Sequence, residues 1–185
     1  MIVGIVLAAG RSTRFGVDNK LLALFRGKPL VAHVAEAMRG VSLSRRVAVV
    51  QDDAMLPVFE GFDIIRPPSG SGQARSVIAG VSHAIGLRAE RILIALGDMP
   101  FVDADILQAV LDKCDGDHGS AMSGRLPPAA FPAARFDELL ALTGDRGAGG
   151  LLRDLPDRLL VPAPPFHALD IDTLADLERL NAQPF

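Results

Sequence analysis

Three groups of residues have the types and spacing to do chemistry. The first is the stretch from Leu7 to Lys20, LAAGRSTRFGVDNK, which holds two glycines, two arginines and a lysine. Glycine permits a left-handed turn and a close backbone approach, so near Gly10 and Gly16 successive amide N–H groups can converge on an anion. Arg11, Arg14 and Lys20 add charge that a merely solvated loop does not need, and Ser12 adds a hydroxyl. The second group is Asp98, the one carboxylate within LGDMPF (96–101). The third is Asp170-Ile171-Asp172, whose two carboxylates point to one side if the segment is extended. A polyphosphate cradle and a few carboxylates form a complementary set, because Mg2+ is held by one or two carboxylates together with phosphate oxygens.

Each group also has a plainer reading. The loop can be a solvated basic connection, and an aspartate after a strand is often a turn or cap residue. Asp172 stands directly before a helical pattern and can cap it. However, Thr173 and Asp176 have the spacing of a capping box, which frees Asp172 to face a site. Asp98 and Asp172 are therefore the expected metal ligands, with Asp170 behind them. Their carboxylate oxygens are expected within about 7 Å of each other, near enough to share one ion at Mg–O distances of roughly 2.1 Å, directly or through water. Without the ion, two such charges should repel and leave the site loose or protonated. The loop's spacing is neither that of a Walker A motif nor G-x-G-x-x-G, since Gly10 and Gly16 are six apart and Asn19 precedes Lys20.

Alternating short elements must position these groups. IVGIVLA (2–8), RVAVV (46–50), FDII (62–65) and RILIAL (91–96) are brief, apolar and non-alternating, as strands buried on both faces are. Residues 29–40, 72–86 and 103–114 carry apolar residues at helical spacing, with Asp103 as an N-cap. That order predicts an α/β fold: a Rossmann-like, doubly wound, mostly parallel sheet with helices on both faces. Ligands of such sheets sit at the carboxyl ends of the strands, which is where the loop and Asp98 fall. The proline-rich second half predicts strands near 128–132 and 158–162, helices near 134–142 and 148–154, and a closing helix over 173–181. No linker stands out, so one domain over 1–185 is expected.

Composition narrows the partners. The chain has 185 residues, 49% hydrophobic and 22% charged, with a formal net charge of −3, which gives no reason to expect a nucleic-acid polymer. Of 19 basic residues 16 are arginine, which suits bidentate phosphate contacts. A single cysteine, Cys114, reads as a buried, inert thiol and points to a reducing compartment. The apolar N-terminus is too short to span a bilayer and lacks a preceding basic residue, so a cytoplasmic protein without membrane partners is expected. The four histidines do not cluster as zinc ligands, and Arg75 reads as surface solvation.

LAAGRSTRFGVDNKLL resembles the signature L-A-[AG]-G-x-S-x-R-[FM]-G-x-x-K of the MobA-like nucleotidyltransferases, most of all their molybdenum cofactor cytidylyltransferases. GSGQARSVIAGV (70–81), LGDMP (96–100), TGDRGAGGLL (143–152) and LDIDTLADLERL (169–180) resemble further family segments in the same order. The resemblance implies a nucleotide-diphospho-sugar transferase type of fold, with a nucleotide-binding half over 1–100 and an acceptor-binding half over 101–185. It also implies that Leu7, Ala8, Ala9, Gly10, Arg11, Ser12, Arg14, Lys20, Gly72, Gln73, Ser76 and Asp98 hold the nucleotide, and that Arg14, Lys20 and Asp98 are catalytic. The implied reaction is Mg2+-dependent transfer of CMP from CTP, or of another nucleotide from its triphosphate, to the phosphate of a molybdopterin-type cofactor. Pyrophosphate leaves, and a molybdenum enzyme is the eventual recipient. Ala9 favours CTP, since guanylyl-transferring relatives usually carry glycine there. Two segments depart from the pattern: GRLPPAAF (124–131) lacks the family's histidine, and Gly149 replaces an arginine. They keep open a different phosphorylated acceptor, such as a sugar or polyol phosphate, or a non-catalytic cofactor-delivery protein.

Overall fold

In the structure, a computed structural model, residues 1–10, 19–68, 72–144 and 147–183 are described. Strand β1 (Ile2–Ala8) runs at the centre of a seven-stranded sheet, and its side chains alternate between two cores. Val6 and Ala8 face one, while Val3, Ile5 and Leu7 face the other. This is why the sequence shows an unbroken apolar run: a strand covered on both sides needs no polar face.

A tight hairpin, β2 (Leu24–Phe25) with β3 (Lys28–Pro29), turns through Arg26 and Gly27, both at positive φ, before helix α1 (Leu30–Arg39). Positive φ at both central residues is the geometry of the turn that suits a two-residue hairpin. There follow β4 (Arg45–Val50), a 3-10 segment over Asp53–Phe59, β5 (Asp63–Ile65), α2 (Gln73–Gly86), β6 (Arg91–Leu96) and α3 (Ala104–Lys113). The second half adds β7 (Ser120–Met122), β8 (Leu126–Pro132), α4 (Phe136–Leu140), β9 (Leu160–Val161) and α5 (Leu174–Ala182).

The strand order is β5-β4-β1-β6-β8-β7-β9. β5, β4, β1 and β6 are mutually parallel, and β8 enters antiparallel to both β6 and β7. Helices α1, α3 and α5 cover one face, where Leu30, Val34, Leu107, Val110, Leu177 and Leu180 meet Val6, Leu93 and Ala95. On the other face α2 and α4 bring Val77, Val81, Phe136 and Leu139 against Ile5, Ile92 and Ile94. The fold is therefore the doubly wound, mostly parallel α/β arrangement expected.

Three local expectations are corrected. The segment expected as a helix over 148–154 is a 3-10 turn, Ala148–Leu152, since the adjacent Gly149 and Gly150 do not support an α-helix. Strand β7 was not anticipated, because Ser-Ala-Met lacks the β-branched run that marks a strand. Gly10 does not adopt a left-handed conformation. Among the described residues nothing fills the space where its Cβ would stand.

Candidate active site

The site forms at the carboxyl ends of β1 and β6. The Gly97 amide donates to Leu7 O at 3.0 Å and so ties the exit of β6 to that of β1. One residue on, Asp98 O accepts from Ile171 N at 3.1 Å, which docks the Asp170–Asp172 segment onto the same edge. Ile171 is fully buried, so its side chain anchors the segment while the flanking aspartates stay accessible. Thr173 caps α5: its hydroxyl oxygen accepts from Asp176 N at 3.1 Å, and Asp176 Oδ2 accepts from Thr173 N at 3.1 Å. With that cap supplied, Asp172 is not drawn onto its own helix.

Asp98 and Asp172 meet at Lys20. Lys20 Nζ donates to Asp98 Oδ2 at 2.9 Å and to Asp172 Oδ1 at 2.8 Å. Two oxygens bonded to one nitrogen cannot be farther apart than those two bonds laid end to end, which is inside the separation expected for a shared ion. The expectation of unrelieved mutual repulsion is corrected, because the ammonium lies between the two carboxylates and offsets one of their two charges. Burial alone would lower the Lys20 pKa, but the charges of Asp98 and Asp172 and their hydrogen bonds outweigh it and raise it above the ordinary lysine value. Asp170 lies on the same side and is exposed. Partial desolvation, with Asp172 and Asp98 nearby, pushes its carboxyl above the usual range.

Lys20 itself is held from behind. Asn19 Oδ1 accepts from Leu21 N at 3.1 Å, which starts the short 3-10 turn Lys20–Leu22, and Leu21 is buried. Asn19 Nδ2 donates to Asp52 Oδ2 at 3.0 Å, and Asp52 Oδ1 accepts from Ala54 N at 2.9 Å. Asp52 thus braces the lysine turn against the exit of β4, and the bond from Asn19 holds its carboxyl below the ordinary value. This brace was not anticipated. The available signal was a pair of aspartates, Asp52 and Asp53, just past a parallel strand.

Of the other expected nucleotide contacts, Leu7, Ala8, Ala9 and Gly10 end β1 or follow it directly, on the same edge. Gly72, Gln73 and Ser76 form the entry and first turn of α2, where Gly72 has φ +113° and Ser76 is buried. Arg11, Ser12 and Arg14 lie outside the described residues. A cavity of about 740 Å³ opens beside this edge, walled by Leu7, Val77, Ile94, Leu96 and Ala129. Gln73, the Gly147–Gly150 backbone and Arg153 also line it; of these last five residues only Gly149 was singled out from the sequence, and Arg153 was not. Gly147 is pressed against Gln73: a Cβ there would lie 2.4 Å from Gln73 Oε1. His167 is buried with Nδ1 unpartnered, and Cys114 is buried, its thiol pushed up to about 11. Among the described residues no cluster of three His, Cys, Asp or Glu is arranged for a metal, and no helix is long and apolar enough to cross a membrane.

Sheet order, helix placement and an edge with two aspartates on one lysine define an α/β protein of the nucleotidyltransferase fold. A nucleotidyl transferase from Methanothermobacter thermautotroptrophicus superimposes with a TM-score of 0.79 over 98% of this chain and 96% of its own, at 22% identity. The model of the MobA-like NTP transferase domain matches residues 4–159, and the chain belongs to that family. A probable molybdenum cofactor guanylyltransferase from Thermococcus sibiricus is 28% identical over 114 residues, 60% of this chain and 55% of that protein. The chain thus spans about half the length of such curated relatives. Rv0371C of Mycobacterium tuberculosis, in a complex with manganese, is 25% identical with a TM-score of 0.74 and 97% coverage of both chains.

Proposed function

We propose that this protein is a divalent-metal-dependent nucleotidyltransferase that moves CMP from CTP to the phosphate of a molybdopterin-type cofactor. The observation that carries the reading is the convergence of Asp98, Asp172 and Lys20 on one strand edge of a MobA-like domain. An acceptor phosphate oxygen attacks the α-phosphorus of the triphosphate. The new O–Pα bond forms as the bond from Pα to the bridging oxygen of the β-phosphate breaks, and pyrophosphate departs.

The donor set fits a hard cation. Two carboxylate oxygens that converge on one point supply what Mg2+ requires from protein, with phosphates and water completing the shell. Asp98 and Asp172 would hold it, with Asp170 as the nearest additional carboxylate. When bound, the ion neutralises charge developing on the triphosphate. The chain's own residues do the rest. Lys20 bears on phosphate oxygens as a point charge, and among the described residues nothing crowds the backbone at Gly10. No covalent intermediate on the protein is required, so catalysis is alignment plus electrostatics.

Donor identity rests on Ala9 and on the family likeness. The curated relatives include guanylyltransferases, so GTP is the competing donor. The test is pyrophosphate release from CTP, GTP, ATP and UTP with a molybdopterin acceptor. Clear preference for CTP in kcat/KM is expected, and preference for GTP would overturn the donor assignment alone. A cavity that is largely aliphatic among the described residues, with Gln73 and Arg153 as polar side chains there, suits a flat heterocycle better than a polyol. Turnover of a sugar or polyol phosphate, but not of the pterin, would shift the reading to that acceptor class. CTP and pterin binding without pyrophosphate release would instead mark a delivery protein.

A further inference from the structure

Lys20 fills the space that a shared cation would take. Its ammonium sits between Asp98 Oδ2 and Asp172 Oδ1 at hydrogen-bond distance from both. The two carboxylates are placed by backbone rather than by the lysine. Asp98 and Ile171 are joined by a main-chain hydrogen bond, and the Thr173–Asp176 capping box fixes the turn beyond Asp172. Lys20 differs: its turn is braced through Asn19, but the ammonium rides on a flexible four-carbon stem. A divalent ion bound by both oxygens would occupy the same place, and a single and a double positive charge cannot share it. One of them must leave, and the lysine is the group whose charge sits at the end of a long flexible stem rather than beside an anchored backbone.

We propose that Lys20 is an exchangeable internal cation: it closes the Asp98–Asp172 pair in the free protein and is drawn away by triphosphate, which opens the pair to a divalent ion. The proposal rests on the reading of these aspartates as metal ligands. It makes metal and nucleotide binding mutually reinforcing, and by linkage each strengthens the other by the same factor. It also gives the lysine two successive partners of one chemistry, carboxylate oxygens first and phosphate oxygens second. Metal alone then binds weakly, because it must displace an ammonium already paired twice.

The experiment uses Mn2+ alone, without nucleotide, and reads free Mn2+ by electron paramagnetic resonance. Lys20→Met should bind Mn2+ roughly tenfold or more tightly than the unaltered chain, since the competing cation is gone. Lys20→Arg keeps a cation in place and should show no such gain. Adding Asp172→Asn to Lys20→Met should abolish it. Equal or weaker Mn2+ binding by Lys20→Met overturns the proposal, as does a gain that persists without Asp172. A second measurement needs no variant. The chain has three lysines, and acylation of Lys20 should accelerate as Mg2+ is added alone, with Lys28 and Lys113 as internal references. Unchanged Lys20 labelling across the range in which Mg2+ binds overturns the exchange. Nucleotide binding by the unaltered chain, measured in calorimetry, tests the donor reading by itself, so either can fail while the other stands.

Discussion

The two sides of the sheet are built differently. On the parallel side, β1 and β6 carry long apolar runs, and their exits are tied to each other and to Ile171 by main-chain bonds. On the antiparallel side, β7 and β9 are three and two residues long, the β7–β8 turn runs through Gly124 and Arg125 at positive φ, and the cavity wall from Gly147 to Arg153 is a glycine-rich 3-10 turn. One side fixes charged groups by backbone; the other surrounds space with short, adaptable segments. That division suits the nucleotidyl transfer proposed above, in which the phosphate chemistry is fixed and the acceptor is what varies.

The comparison breaks most visibly at Asp98. Asp98→Ala removes a carboxylate held at the rigid edge and one of the two carboxylate partners of Lys20. Loss of roughly 10²–10³ in kcat/KM is expected, about 3–4 kcal/mol of transition-state stabilisation, with an unchanged circular dichroism spectrum. The check is the initial rate of pyrophosphate release with nucleotide well below its KM and acceptor saturating. A variant within tenfold of normal would mean that this edge does not carry the chemistry.

A smaller effect is expected at the cap that keeps Asp172 available. Thr173→Ala deletes the acceptor for Asp176 N, at a cost of about 1 kcal/mol and a fall in Tm of roughly 2–4 °C. Asp172 is then the nearest side chain able to cap α5. Mn2+ affinity should drop along with Tm. A lowered Tm with full Mn2+ affinity would show that the cap serves the helix alone.

The parallel side was legible in the sequence because its signals are local. Ile2–Ala8 and Arg91–Leu96 have the boundaries that their apolar runs predict, and Asp103 caps α3 through a bond from Ile106 N. Asp98 could be singled out as a lone acid at a strand end, and Asp172 as one of two alternating acids directly before a capping box. Lys20 was singled out as well, as a phosphate contact, but its pairing with both carboxylates was not. The ammonium between them belongs to a residue 78 positions from Asp98 and 152 from Asp172, and no spacing rule relates the three. The antiparallel side was less legible for a second reason. Its strands are too short for a period to show, and its cavity is lined by glycines whose placement depends on α2 across the gap.

Gly147 is the joint between the two sides. Its φ of −78° suits any residue, so alanine adds no backbone strain, but the new Cβ would stand 2.4 Å from Gln73 Oε1. The clash is with the end of a flexible side chain, so Gln73 swings away and stability should change by no more than about 0.5 kcal/mol. The cavity loses one of its polar groups. Several-fold weaker binding of one substrate is expected, with the other unaffected. Comparing the two KM values assigns the cavity to nucleotide or to acceptor, and equal KM values for both would remove Gln73 from recognition.

The effect least visible near neutral pH belongs to Cys114, at the end of α3 and far in kind from the charged edge. Only 5% of its surface is exposed, and burial pushes the thiol from the ordinary 9.0 to about 11. Its sulfur faces two carbonyl oxygens, of Asp115 and His118, which favour the protonated form. The sign of the linkage follows. Below pH 9 the thiol is neutral in both folded and unfolded chains, so it contributes no pH dependence there. Between pH 9 and about 11 the unfolded chain loses this proton first, and folding loses stability as pH rises, by up to about 2–3 kcal/mol. Cys114→Ala, which cannot ionise, should show a shallower decline in Tm over that interval and little change near neutrality beyond the lost sulfur contacts. A thiol reagent at pH 8 should label the folded protein far more slowly than the denatured one. Rapid labelling of the native chain would show that the antiparallel side opens readily, and would recast its adaptability as local unfolding.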